Sequence, residues 1–182
     1  ANSAFTWIYS LEDGKNKSTL VSINGDKIEK SGNDISPELS ILAQKAYDER
    51  SHRITELDGI TYFIHVFPPK AQLIVVGAAH ITVDLVQLGH LYDFETIVID
   101  PRGAFTAKTM FKIRPDKIFR SYPSEVLNNM RLDAYTYCAI LSHDPKIDDN
   151  ALEVLLPSKV AYIGALGSKK THAKRINRLK EK

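Results

Sequence analysis

A glycine turn, one acid and two later loops hold the residues in this chain whose types and spacing could do chemistry. Gly77-Ala78-Ala79-His80 follows directly on the apolar, β-branched run Gln72-Leu73-Ile74-Val75-Val76. From Ile81 the spacing becomes helical, with Ile81, Leu85, Leu88 and Leu91 on one side. A strand that enters a helix through such a turn aims the free N–H groups of the helix's first turn at whatever lies above, which favours an anion. A second apolar run, Thr96-Ile97-Val98-Ile99, ends in Asp100. An acid about twenty residues after the turn is what a dinucleotide fold uses to bind a ribose. Of the fingerprint G-x-G-x-x-G, however, the stretch Gly77 to Thr82 supplies only the first glycine. Ala79 stands where the backbone should approach a pyrophosphate, and Thr82 stands where the helix packs on the sheet. By itself the turn fits a nucleotide site and a plain βα turn equally well.

The later loops add polar groups. In Asp100-Pro101-Arg102 the carboxylate can accept ribose hydroxyls, and the planar Arg102 fork can pair with a 2′-phosphate. The bland alternative is an ordinary Asp-Pro turn. Phe105 suits either stacking on an adenine or the core. Leu141-Ser142-His143-Asp144-Pro145 sets small and polar groups directly after an apolar run. His143 could carry a proton or ligate a metal, and Asp144 could orient it or bind the metal; these two are the only catalytic candidates. The alternative is a turn with a surface histidine. With no second His at helical ligand spacing and no Cys cluster, no zinc site is expected. Gly164-Ala165-Leu166-Gly167-Ser168-Lys169-Lys170-Thr171-His172 offers two glycines, a hydroxyl and two lysines entering a helix. That is a second possible anion cradle, or a Gly-rich junction.

The elements that position these loops alternate from residue 71 on. Strands are expected at 72–76, 95–99, 117–119, 135–141 and 160–163. Helices are expected at 80–91, from Pro123 to about Met130, up to Leu156 behind an Asp148-Asp149-Asn150 cap, and from about Lys170 onward. Phe105-Thr106-Ala107 begins a further short segment. The alternation predicts an α/β fold with a doubly wound, mostly parallel, Rossmann-like sheet. Right-handed crossovers put the reversal of strand order between its first and fourth strands. The loops after strands one, two, four and five then gather at the carboxyl edge, where such folds bind ligands. Residues 1–67 read differently, as a small α+β unit. Strands are expected at 5–9, 18–23, 27–29, 53–57 and 60–67, with turns at Leu11-Glu12-Asp13-Gly14, Asn24-Gly25 and Asp58-Gly59. A helix starts at Pro37 behind a Ser36 cap. Pro68-Pro69 marks the boundary, leaving domains 1–67 and 71–182.

The chain of 182 residues is 43% hydrophobic, enough for a core, and its 24 basic and 22 acidic side chains nearly cancel. Lys169, Lys170, Lys174, Arg175, Arg178, Lys180 and Lys182 make the C-terminus basic, as a solvated helix face or an anion- or nucleic-acid-binding tail. No apolar run approaches the length of a membrane span. The single Cys138 lies in an apolar run and is expected to be a buried thiol, consistent with a cytoplasmic protein.

Taken together, Gly77-Ala78-Ala79-His80, Val98-Ile99-Asp100-Pro101-Arg102, Leu141-Ser142-His143-Asp144-Pro145 and Tyr162 through His172 resemble, in order and spacing, the Rossmann-type domain of the XdhC/CoxI family of xanthine dehydrogenase accessory proteins. The resemblance is close over about residues 68–182 and fainter before. It implies a role in maturing molybdenum hydroxylases: binding molybdenum cofactor (molybdopterin), protecting it, and handing it to an apo molybdenum hydroxylase of xanthine dehydrogenase type. NAD(P) is the other ligand it implies, and a homodimer is compatible with it. No nucleic acid partner and no membrane span are expected. By resemblance the cofactor-binding residues are Gly77, Ala78, Ala79, His80, Asp100, Arg102, Ser142, His143, Asp144, Gly164, Gly167, Ser168 and Lys169. The family turn is usually Gly-Ala-Gly-His, and here Ala79 replaces its second glycine. The family's Ser-Gly-Gly-Cys type segment has no counterpart, and the family chain usually runs on past the last basic helix. A fragment, a shortened member, or one that has lost cofactor handling is therefore expected. More a cofactor-binding chaperone than a catalyst is implied; the alternatives are an NAD(P)-dependent oxidoreductase and a nucleotide-sensing or interaction module.

Overall fold

The computed structural model describes residues 4–11, 18–24, 27–102 and 111–181. The expected turn residues 12–14 and Gly25, the segment at Phe105-Thr106-Ala107 and Lys182 lie outside them. The chain divides into two compact units, Ala1–Pro69 and Lys70–Lys182.

The first unit is an antiparallel sheet with one helix. Its strands are β1 (Ala4–Ser10), β2 (Ser18–Asn24), β3 (Lys27–Gly32), β4 (Arg53–Leu57) and β5 (Ile60–Phe67), in the order β3-β2-β1-β5-β4. Helix α1 (Pro37–Asp48) begins where Ser36 Oγ accepts the Leu39 N–H at 3.1 Å, with Pro37 at the first helical position. Period-two alternation sorts the two faces of β1. Thr6, Ile8 and Ser10 are buried, and α1 packs on β1, β2 and β5 with Leu39, Ala43, Ala46 and Tyr47 buried. The intervening Phe5, Trp7 and Tyr9 join Phe63, His65 and Phe67 in ring contacts, such as the Phe5–Phe67 stack at 4.6 Å.

The second unit holds a five-stranded parallel sheet: β6 (Gln72–Val76), β7 (Glu95–Ile99), β8 (Lys117–Phe119), β9 (Thr136–Ile140) and β10 (Tyr162–Ala165). Their order is β10-β9-β6-β7-β8, so the reversal falls between β6 and β9, as the crossover rule requires. Helices α2 (His80–Leu91), α3 (Pro123–Leu127), α4 (Pro145–Leu155) and α5 (Lys169–Lys180) connect and follow the strands. Side chains alternate across the sheet into two cores. Ile74, Val76, Ile97, Ile99, Cys138 and Ile140 pack with residues of α3 and α4, while Val75 and Val98 pack with Val86 of α2. Each wholly buried Val or Ile contributes roughly 1.5–3 kcal/mol, which fixes the strand register and therefore the carboxyl edge.

Four expectations need correction. Helix α4 starts at Pro145 behind Asp144, whose Oδ1 accepts the Lys146 N–H at 2.9 Å; Asp148 and Asp149 are buried residues inside it, not its cap. Strand β10 lies two residues further on than the expected 160–163, at Tyr162–Ala165. Helix α3 ends at Leu127. Most of the apolar row on α2 faces outward: Ile81, Leu88 and Leu91 are exposed and only Leu85 packs against the core, whereas the buried face is Thr82, Val86 and Gly89. Close packing explains the choice, since a Cβ on Gly89 would come within 2.6 Å of Thr96 Cγ2.

Candidate functional site

The loops that leave β6, β7, β9 and β10 are tied to one another at the carboxyl edge. Gly77 comes first. Its φ of +103° is one that glycine adopts freely, and a Cβ there would lie 2.5 Å from the Cα and N of Ser142. The bare glycine thus lets the end of β6 lie against the end of β9. This accounts for the one fingerprint glycine that the chain keeps through strand packing, without a ligand.

Past Gly77 the turn's N–H groups are already engaged. Ala78 donates to Asp100 Oδ2 at 2.7 Å, and Ala79 donates to Thr82 Oγ1 at 3.1 Å. The Thr82 hydroxyl is buried and donates to the Gly77 carbonyl at 2.6 Å. Helix geometry leaves the N–H groups of His80 and Ile81 as the outward donors of α2. His80 itself is exposed.

Asp100 is wholly buried and accepts four hydrogen bonds. Besides Ala78, they come from the Arg102 backbone N–H at 2.8 Å and from Arg102 Nε and Nη2 at 3.0 and 2.8 Å. Burial works against the Asp100 charge, but the Arg102 fork and the two backbone N–H groups outweigh it and hold the carboxyl below its ordinary range. The same bond raises the Arg102 guanidinium. Arg102 Nη1 reaches the Ser142 carbonyl at 3.4 Å, which joins the β7 loop to the β9 loop. The acid expected at a ribose and the arginine expected at a 2′-phosphate are therefore spent on each other and on the turn.

Ser142 carries the connection onward. Its hydroxyl donates to Asp148 Oδ1 at 2.5 Å, and the Asp144 N–H donates back to it at 3.1 Å. Asp148 Oδ2 pairs with Arg175 Nη2 at 3.0 Å, both side chains being 3% exposed, and Nη2 also donates to the Leu166 carbonyl at 3.1 Å. One turn on, the Arg178 fork grips Asp149, with Nη2 at 2.9 Å from Oδ1. The basic helix α5 is thus docked on α4 by two arginine–aspartate pairs, while Lys169, Lys170 and Lys174 stay exposed.

A cavity of about 430 Å³ opens among His143, Asp148, Gly167, Ser168, Thr171 and Arg175. His143 is exposed on its rim, in a left-handed conformation at φ +61°. Ser168 Oγ caps α5 by accepting the Thr171 N–H at 3.1 Å. Two expected residues stand apart. Asp144 serves as the α4 cap, with one carboxylate oxygen given to the Lys146 N–H. Gly164 lies within β10, paired with Ala139, and the Tyr162 ring covers its open side. Phe105 lies outside the described residues. Arg175 and Asp148 were expected only as parts of a basic tail and a cap. Their 27-residue separation hides the pairing from any local pattern, although Arg175 and Arg178 at i, i+3 facing the adjacent Asp148 and Asp149 was a readable signal.

A parallel sheet in the order 3-2-1-4-5, with polar loops meeting at the reversal, is a Rossmann-type domain. Residues 73–182 match the XdhC Rossmann domain, and the chain belongs to that family. A crystal structure of a xanthine dehydrogenase from Bacillus halodurans is similar in fold, with a TM-score of 0.59 and 24% identity over 98% of this chain and 51% of that one. This chain therefore spans about half the length of that protein. No curated protein matches it. Among the described residues, no helix is long and apolar enough to cross a membrane.

Proposed function

We propose that this chain serves the maturation of a molybdenum hydroxylase of the xanthine dehydrogenase type, holding molybdenum cofactor at the carboxyl edge of its second unit. Membership of the XdhC family and a fold shared with a protein described as a xanthine dehydrogenase support the connection. The observation that carries the reading is the state of the four loops. They meet at one edge, yet the groups a dinucleotide would need are used internally. Asp100 is sealed by Arg102, and the Ala78 and Ala79 N–H groups are paired. What remains open is the pair of His80 and Ile81 N–H groups at the head of α2 and, on the β9–β10 side, a cavity ringed by His143, Gly167, Ser168 and the head of α5.

That cavity suits a pterin bearing a phosphate better than a dinucleotide spread across both halves of the edge. The Arg175 guanidinium, paired with Asp148, lines the cavity, and the positive end of the α5 dipole lies at its rim, so an anionic group there would meet this chain's own positive charge. When bound, the cofactor would bring the metal chemistry of the partner enzyme. This chain's part would be to hold the phosphate-bearing end and release it to the apo-enzyme. An oxidoreductase reading finds less support, because Asp144 caps a helix rather than orienting His143.

Purification of the full chain from cells that make molybdenum cofactor tests the reading. Molybdopterin is expected to co-purify, and His143→Asn, which tolerates the left-handed backbone, is expected to lower its retention. Co-purification of a dinucleotide instead, unaffected by that change, would contradict it.

A further inference from the structure

We infer that the outward side of α2 is the contact surface of a symmetric dimer, in which α2 of one copy lies antiparallel on α2 of a second. This does not depend on the cofactor reading.

The apolar stripe is the first support. At about 100° per residue, Ile81, Leu85, Leu88, Leu91 and Tyr92 fall within a sector of about 120°, as wide as the stripe that packs a helix onto a core. Thr82, Val86 and Gly89 already give α2 a buried face, so this is a second one. Leu85 meets the core in part. Ile81, Leu88, Leu91, Tyr92 and the neighbouring Ile113 are between 45 and 74% exposed. At about 200 Å² for a large side chain, these five show roughly 600 Å² to solvent, the upper end of what a monomer leaves uncovered. Between Leu88, Leu91 and Ile113 lies an open cavity of about 560 Å³. Asp84 is the only Asp, Glu, Lys or Arg that lines it, so the surface carries no block of charge to select a charged partner.

The spacing of the stripe fits a second copy. Ile81, Leu85, Leu88 and Tyr92 are separated by four, three and four residues, which reads the same from either end. A two-fold axis through the middle of this row, beside Val86 and Gln87, therefore sets Ile81 against the second copy's Tyr92 and Leu85 against the second copy's Leu88. Such a contact is self-complementary and closes at two copies. The cavity is the hole that an apolar side chain of the facing helix fills. The two Asp84 carboxylates stay apart. They are separated by roughly 8 Å along the axis and 8–10 Å across it, together more than a Debye length. Antiparallel helices also set each positive end beside a negative one. Two such surfaces bury up to about 1,200 Å², the lower end for a specific interface and enough for a reversible dimer.

The test is sedimentation equilibrium of the full chain from about 1 to 300 μM, where a monomer–dimer equilibrium with a Kd on the order of 1–100 μM is expected. Leu88→Glu keeps a good helix former at an exposed position and sets two carboxylates near the axis. It should weaken dimerisation at least about 100-fold while leaving the circular dichroism unchanged. Leu91→Glu, at the most exposed of these positions, decides the matter should Leu88→Glu not fold. Ile54→Glu, at an exposed isoleucine of the first unit, should leave the equilibrium unchanged. Because Cys138 is wholly buried, a short thiol cross-linker can read the register. It should join Ile81→Cys to Tyr92→Cys in a mixture faster than it joins either variant to itself. A chain that stays monomeric at about 300 μM, a dimer that the α2 variants leave intact, or one that Ile54→Glu dissolves overturns the surface. Faster joining of like variants overturns the antiparallel pairing. Capture of an apo molybdenum hydroxylase by a monomeric chain, lost in Leu88→Glu, would overturn the dimer and give the stripe to that enzyme.

Discussion

Replacing Asp100 by asparagine asks whether this buried carboxylate holds the head of α2 in place or merely waits for a ribose. Asp100→Asn keeps the shape, removes the charge and turns one acceptor oxygen into a donor. Each oxygen accepts two bonds, so either orientation of the amide loses two of the four and faces an N–H with an N–H. A hydrogen bond to a charged group contributes about 1.5–3 kcal/mol, and removing one partner of a buried ion pair costs about 3–5 kcal/mol. The Arg102 side chain is 34% exposed, so water screens part of its loss. A destabilisation of about 2–3 kcal/mol follows. With a urea slope of about 1–3 kcal/mol per molar, the unfolding midpoint should fall by roughly 0.7–3 M. Cys138 provides the assay. It is the chain's one cysteine and lies wholly buried in β9, where burial pushes its thiol up to about 12. It reacts only when the second unit opens, whereas Trp7, the one tryptophan, reports on the first. A midpoint for thiol labelling that moves by less than about 0.3 M would refute the structural role assigned to Asp100.

Other consequences are as direct. Gly77→Ala forces a Cβ to 2.5 Å from the Ser142 backbone at φ +103°, and should cost at least about 3 kcal/mol, read as Cys138 labelling without denaturant. Protection equal to wild type would show that β6 and β9 do not need this approach. Ala79→Gly should change the affinity for NAD by less than about threefold, because the Ala78 and Ala79 N–H groups stay paired whatever the side chain; calorimetry showing a tenfold gain would make the methyl the obstacle. Asp100, Glu95 and Asp116 all have folded carboxyls below their ordinary range: Asp100 as described, Glu95 through Lys117, and Asp116 because bonds from Thr96 outweigh its burial. Their stabilisation is complete above the unfolded value of about 4 and is lost as pH falls through the lower folded values. Circular dichroism melts should therefore drop steeply only below about pH 4, and a loss already complete at about pH 5 would contradict the assignment.

The order of the parallel sheet was legible because alternation and crossover handedness are local or nearly universal rules. The α2 face was not. Its outward row Ile81, Leu88 and Leu91 is the more apolar, and only the close approach of Gly89 to Thr96 reveals which side packs. Asp100 was found as a residue but not in its role, since nothing in Asp-Pro-Arg says that the arginine folds back on the acid. Asp148 and Asp149 resemble a helix cap in sequence. Their partners, Arg175 and Arg178, lie on another element and are set by tertiary packing.

The carboxyl edge of the second unit is proposed to hold a phosphate-bearing pterin cofactor. Mass spectrometry of the small molecule released when the purified full chain is denatured tests it most directly. The expected result is the mass of a molybdopterin species, present with the wild-type chain and reduced with His143→Asn. A dinucleotide mass, or a molybdopterin yield that His143→Asn leaves unchanged, would contradict it.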